Sequence, residues 1–211
     1  MGMSLFFQLF AGVPMNEMDT FPLVPLGRWL LPIGIYLLII SFRLGMDMQN
    51  RRFVIIRCEW MQKWWKYHFL RNLMNGLLVA ISLLALFKII DLFALQMFTG
   101  NLKEILAIFI LWTVHAMALS ALFLFLETLN IKKMIPAIIL LLEGLTFLSG
   151  FRFRESARFM FGSWGMYVQS NLYECMYGFS ITGVIIVQAT IIIACYCMGS
   201  YFLKRKEMEG V

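Results

Sequence analysis

Charge is scarce in this chain. Of its 211 residues, 14% are Asp, Glu, Lys or Arg, against ~25% in a soluble domain. A cytosolic globular fold is therefore excluded, because too little polar surface exists to cover the apolar bulk. Disorder is excluded as well, since it requires low hydrophobicity and high net charge. Metal-type cysteine pairing is lacking: the four cysteines are Cys58, Cys175, Cys195 and Cys197, and none forms a C-x-x-C. Cys195 and Cys197 make a C-x-C within an apolar run, and on a helix such neighbours point about 200° apart. Small buried hydrophobes are the plain reading of all four, and no metal ligand set is expected. The phosphate-cradling G-x-x-x-x-G-K-[ST] is absent, as are H-E-x-x-H and G-x-S-x-G, so the chain holds no recognisable catalytic motif. The start lacks a basic n-region, and Ser4–Val13 is too short to span a bilayer.

What is abundant is apolar side chain. Hydrophobic types make up 61% and aromatics 16%, with a mean hydropathy of +0.80. The chain reads as an all-α polytopic membrane bundle in a single domain. Five stretches approach the ~20 apolar residues a crossing helix needs: Trp29–Phe42, Leu73–Met97, Leu102–Leu126, Met134–Phe151 and Tyr177–Leu203. The first of these has room to begin near Phe21, with Pro22, Pro25 and Pro32 disturbing its entry. Counting Ser4–Val13 as a shortened or re-entrant first element makes five to six spans. No run alternates with period two, which disfavours a β-barrel.

The net charge of +6 points to membrane orientation rather than to nucleic acid, because basic residues collect in cytoplasmic loops and meet anionic lipid there. Arg43, Arg51, Arg52, Arg57, Lys63, Lys66 and Arg71 lie between the first two spans; Lys132 and Lys133 follow the third; Lys204, Arg205 and Lys206 end the chain. With five spans these groups share one side, which places the C-terminus in the cytoplasm. Arg152, Arg154 and Arg158 fall on the opposite side and weaken the bias without reversing it.

Two connecting segments are too substantial for plain turns. The first, residues 46–70, is largely covered by the run R-R-F-V-I-I-R-C-E-W-M-Q-K-W-W-K-Y-H-F-L-R, from Arg51 to Arg71. On a helical wheel Arg52, Glu59, Lys63 and Lys66 share a narrow arc, with Val54, Cys58, Met61 and Trp65 opposite. Glu59 and Lys63 form an i,i+4 pair in the favourable order. The plain reading is an interfacial helix with Trp60, Trp64, Trp65 and Tyr67 at headgroup level. The sharper reading is a docking element for a soluble partner. Arg57 falls on the apolar arc, where it either snorkels or pairs with a carboxylate. The second segment, residues 152–176, is rich in aromatics and broken by Gly162 and Gly165. It fits an element that dips into the outer leaflet and returns, or an aromatic belt on a surface loop.

Ionisable residues inside spans are costly and mark candidate sites. Glu143 lies mid-span in L-L-L-E-G-L-T and is either protonated or paired across helices with His115. Lys88 and Asp91, at i,i+3, neutralise one another near the outer end. Glu127 lies near the cytoplasmic end of the third span, within reach of Lys132 or Arg57. For each of these a structural polar contact is the plainer expectation, with intramembrane catalysis by His115 and Glu143 as the alternative.

This layout resembles the short permease subunits of ABC-2-type ABC transporters. Ile55–Arg71 looks like the coupling region in the first cytoplasmic loop, and Arg152–Met176 like the outer re-entrant pair. The resemblance implies a bacterial inner-membrane protein without its own ATPase. The subunit would move substrate outward as a separate subunit hydrolyses ATP with Mg. Some such subunits export antimicrobial peptides or confer immunity to them. Its partners would be membrane lipid, the ATPase subunit and a second permease chain, identical or different. Arg57, Glu59, Trp60, Lys63, Trp64, Trp65 and Lys66 would carry the contact. The family's first span is missing here or reduced to Ser4–Val13. The alternative is an integral membrane subunit that binds a partner or aids assembly without transporting.

Overall fold

A computed structural model describes residues 4–14, 22–49, 61–93, 101–129, 134–173 and 178–208. Among the described residues six α-helices carry the architecture: α1 (Leu5–Phe10), α2 (Leu23–Gln49), α3 (Met61–Phe93), α4 (Leu102–Thr128), α5 (Ile135–Arg152) and α6 (Ile181–Met208). Five of them, α2 to α6, are long and apolar enough to cross a membrane. Among the described residues the sole ladder contact is a single bridge between Ser170 and Phe179. The all-α membrane-type bundle expected from composition is the fold observed.

Burial ranks the helices. The most apolar stretch of α4 is 56% buried and that of α6 is 17% buried, which makes α4 the hub and α6 an outer member. Outward faces stay apolar, with Leu78, Ile81 and Leu86 on α3, Leu141 and Leu145 on α5, and Ile186 and Ile193 on α6 all exposed. Hydrocarbon tolerates such a surface and water does not. Polar contacts lock α2, α3 and α4 together. The Tyr36 hydroxyl donates to the carbonyl of Ala116 at 2.8 Å, and the Asn72 amide donates to that of Ser120 at 2.8 Å. Gly76 makes room for both, because a Cβ there would lie 2.6 Å from the Tyr36 hydroxyl and 2.9 Å from Ser120 Oγ.

The segment ahead of Leu73 departs from expectation in its described part. An amphipathic helix over Arg51–Arg71 and a span from Leu73 were expected; residues 51–60 of that helix lie outside the described residues, and its remainder is continuous with the span, α3 running unbroken from Met61 to Phe93. No glycine or proline occurs between Met61 and Asn75, so nothing in the backbone stops the helix at the membrane edge. Its 33 residues span about 50 Å, well beyond a ~30 Å hydrocarbon core. The first span is also longer than expected, reaching Gln49. Pro25 sits in its first turn, where a missing N–H costs little, and Pro32 lies inside it.

At the end of the bundle remote from Met61, α1 forms a short buried element rather than a span. Ser4 caps it, and both oxygens of the fully buried Asp91 accept backbone N–H groups, from Leu5 at 3.0 Å and Phe6 at 3.1 Å. These are two of the donors a helix start leaves unpaired. Beyond the expected neutralisation of Lys88, Asp91 thus holds the start of α1, and Lys88 lies 5.3 Å from the Phe6 ring centroid. Gly12, at φ +97°, turns the chain out of α1 against Met166. The N–H of Val168 then donates to Ala11 at 3.0 Å and the Gln169 amide to the carbonyl of Val13. Asp91→Asn keeps one acceptor and loses the charge. It should speed exchange of the Leu5 and Phe6 amides about tenfold, the equivalent of ~1.4 kcal/mol. Unchanged exchange would show that Asp91 does not hold α1.

Candidate functional site: a buried His–Glu–Gln cluster under a re-entrant segment

Three polar side chains from three helices meet within the bundle. His115 lies halfway along α4, Glu143 halfway along α5, and Gln188 two turns into α6. His115 Nε2 is 2.8 Å from Glu143 Oε1, and Gln188 Nε2 is 3.2 Å from His115 Nδ1. None is more than 1% exposed. The cross-helix pairing of His115 and Glu143, one of the two states expected for Glu143, is what the structure contains.

The cluster is incompletely satisfied. Glu143 Oε2 and Gln188 Oε1 have no hydrogen-bond partner among the described residues, and neither do the indole nitrogens of Trp29 and Trp112. A buried polar atom without a partner costs about 1–3 kcal/mol, more if charged. Such atoms in one neighbourhood are a feature to be explained rather than packing detail.

Residues 154–173 close the cluster off. They run as four short 3₁₀ turns: Arg154–Phe159, Phe161–Ser163, Tyr167–Gln169 and Asn171–Tyr173. Gly162 lies against the main-chain carbonyl of Glu143. That residue is nine positions before Arg152, the last of α5, so the segment descends about 13 Å along the helix. The Gly162 N–H donates to the Thr146 hydroxyl at 2.8 Å, which donates in turn to the carbonyl of Leu142 at 2.7 Å. Gly165 sits where a Cβ would lie 2.8 Å from the His115 ring and 3.1 Å from Trp29. Phe161 tilts over the same imidazole at 5.1 Å between centroids. Irregular backbone at depth must satisfy its own polar groups. Ser163 Oγ donating to Ala157 at 2.7 Å, Ser170 Oγ donating to Tyr167 at 2.7 Å and the Trp164 indole donating to Arg158 at 3.0 Å serve that need. The described part of this segment folds back along α5 as far as Glu143, the packing that the reading of an element that dips and returns requires.

The expected coupling residues separate into two groups. Lys63 and Lys66 are exposed on the first turns of α3, beside exposed Tyr67, Leu70 and Arg71. Trp64 and Trp65 are buried. The Trp65 indole donates to the carbonyl of Tyr196 at 3.0 Å, and its ring covers Gly199, where any Cβ would overlap it. Trp64 stacks on His68 at 4.9 Å. Trp64 and Trp65 are thus taken up by the chain's own packing, while Tyr67 stays exposed. Arg57, Glu59 and Trp60 lie outside the described residues, as do Lys132 and Lys133. Glu127 is buried near the end of α4. Cys195 is buried as expected, whereas Cys197 is exposed rather than buried, because two residues on along a helix it points to nearly the opposite side. Among the described residues no group of three His, Cys, Asp or Glu side chains is placed to hold a metal.

Gln188 was not singled out from the sequence. Its signal is faint: a single uncharged amide in V-I-I-V-Q-A-T-I-I-I, where attention falls on ionisable residues. Gly162 and Gly165 stood out as helix breakers, whereas their role is close approach to Glu143 and His115. Comparison of the chain with family models, with curated proteins and with solved structures finds no match.

Proposed function

We propose that this multi-pass membrane-type protein is the permease subunit of an ABC-type exporter, with ATP hydrolysed by a separate subunit. The observation that carries this reading is the continuity of α3. Lys63, Lys66 and Arg71 stand exposed on the part of the helix that outruns the apolar span, and Trp65 fastens that part to the last turns of α6. A push on this end is transmitted as motion of a rigid rod into the bundle, with no flexible joint to absorb it. A lever of this kind serves a chain that lacks a nucleotide-binding loop and draws on an external engine. Arg43, Lys63, Lys66, Arg71, Lys204 and Arg205 gather at that end, which the positive-inside rule assigns to the cytoplasm together with the C-terminus. Membrane lipid, the ATPase and a second permease chain are the partners this reading requires, with ATP and Mg bound by the ATPase.

The test is charge reversal. In a reconstituted complex with the ATPase subunit, Lys63→Glu with Lys66→Glu should cut coupled transport about tenfold or more, because like charges set against an interface cost more than 1 kcal/mol. Assembly of the bundle should be unaffected, since both side chains are exposed. Transport at the unaltered rate would remove these lysines from the contact. Failure of any ATPase to co-purify would favour the non-transporting partner-binding subunit.

A further inference from the structure

We propose that His115, Glu143 and Gln188 form a binding site for one exchangeable proton inside the bundle, independent of whether the chain works with an ATPase. The argument starts from the hydrogen-bond inventory. The Gln188 amide nitrogen faces His115 Nδ1 at 3.2 Å. An amide N–H only donates, so Nδ1 is an acceptor and carries no hydrogen. The single N–H of the neutral ring is then at Nε2, where it donates to Glu143 Oε1 at 2.8 Å. In this state the cluster is a neutral imidazole against a carboxylate, with a net charge of minus one, and Gln188 Oε1 has no partner among the described residues.

A proton added to Nδ1 makes that atom a donor. A half turn of the Gln188 amide brings its unpartnered oxygen to face the new N–H, without displacing any helix. The ring now donates on both sides, to Glu143 and to Gln188, and the cluster is neutral overall. If the Nε2 hydrogen shifts across to Glu143 Oε1, the same number of protons is held by a neutral ring and a carboxylic acid. One frame of heavy atoms thus accommodates both states, and each leaves one amide group of Gln188 without its bond. A purely structural lock would be expected to satisfy a single state completely; this one is divided between two.

The surroundings leave the proton to this cluster. Of the elements packed round it, α2 contributes Trp29 and the re-entrant segment contributes Phe161 and Gly165, none of them titratable. α5 contributes Glu143 and α6 contributes Gln188. Among the described residues no other charged side chain bonds to the pair. Tyr36, farther along α2, donates its hydroxyl to Ala116.

The chain has two histidines, so ring-¹⁵N-labelled histidine in the full-length protein, held in lipid nanodiscs, gives a readable spectrum in which His115→Gln identifies the His115 signals. As the pH is lowered over the range in which the nanodiscs stay intact, His115 Nδ1 should pass from unprotonated to protonated. The Gln188 side-chain amide should move with the same midpoint. Glu143→Gln, which keeps the shape and removes the carboxylate, should abolish the transition. A His115 ring that holds one protonation state across the range overturns the proposal, as does a transition that leaves the Gln188 amide unmoved or survives in Glu143→Gln. The wild-type titration decides the matter even if the variant misfolds, and none of these readouts depends on transport or on the Lys63 and Lys66 contact.

Discussion

Leucine in place of His115 should destabilise the bundle by about 3–5 kcal/mol, and a second leucine at Glu143 should recover most of that loss. The single substitution strips the carboxylate of the one bond it makes, at 2.8 Å from His115. Its other oxygen already lacks a partner among the described residues, so the charge would stand alone at 0% exposure. The double substitution removes charge and partner together and fills the space with side chains of similar volume, which is often neutral or stabilising. Glu143→Leu alone should cost less, about 1–3 kcal/mol, because a neutral imidazole that loses an acceptor remains uncharged. Denaturant unfolding of the four proteins in detergent measures the cycle. A double variant as unstable as His115→Leu would show that the loss lies in packing against Phe161 and Gly165 rather than in the stranded carboxylate. A double variant that is stable but inactive would show that the pair is retained for what it does rather than for what it holds together.

The parts of this arrangement visible in the sequence are those that hydrophobicity makes conspicuous. His115 and Glu143 stand out because each interrupts an apolar run at mid-span, where an unpaired charge is too costly to leave facing lipid. Their pairing follows once α4 and α5 are joined by a short connection and must run antiparallel. The helix count follows from apolar length in the same way. What apolar length does not encode is where a helix ends. The polar residues from Lys63 to Arg71 mark the membrane edge, yet they are good helix formers, and α3 passes through them. The wheel correctly sets Trp65 opposite Lys63 and Lys66, but only the tertiary structure shows that Trp65 faces α6, where Gly199 accommodates its ring. Asp91 shows the same boundary. Its spacing to Lys88 suggests a local pair, but nothing in that spacing announces the N–H groups of Leu5 and Phe6, 86 and 85 residues away in the chain, that it also meets. Residue patterns report periodic burial; they do not report which distant backbone donor a carboxylate will meet.

Gly162→Ala should be worth about 3 kcal/mol of destabilisation, a large effect for one methyl group. The added carbon would overlap the main-chain carbonyl of Glu143 and come within 2.9 Å of the Thr146 hydroxyl. A side-chain neighbour can swing away, as Met166 can from Gly12, but a carbonyl in the middle of α5 cannot move without breaking the helix. The re-entrant segment must therefore lift, and its 2.8 Å bond from Gly162 to Thr146 must lengthen or break. Gly27 provides the control, since a Cβ there meets nothing within 4 Å. Alanine at that helical position should be neutral or stabilising by up to about 1 kcal/mol. Lifting the segment also withdraws Phe161 and Gly165 from the His115 ring, so the same variant should open the cluster to water. Faster hydrogen exchange at Gly162 and at its neighbours in residues 157–165, with α4 exchange unchanged, is the expected pattern. Equal protection in Gly162→Ala and wild type would mean that the segment does not rely on this close approach, and that the His115–Glu143 pair is shielded by the helices alone.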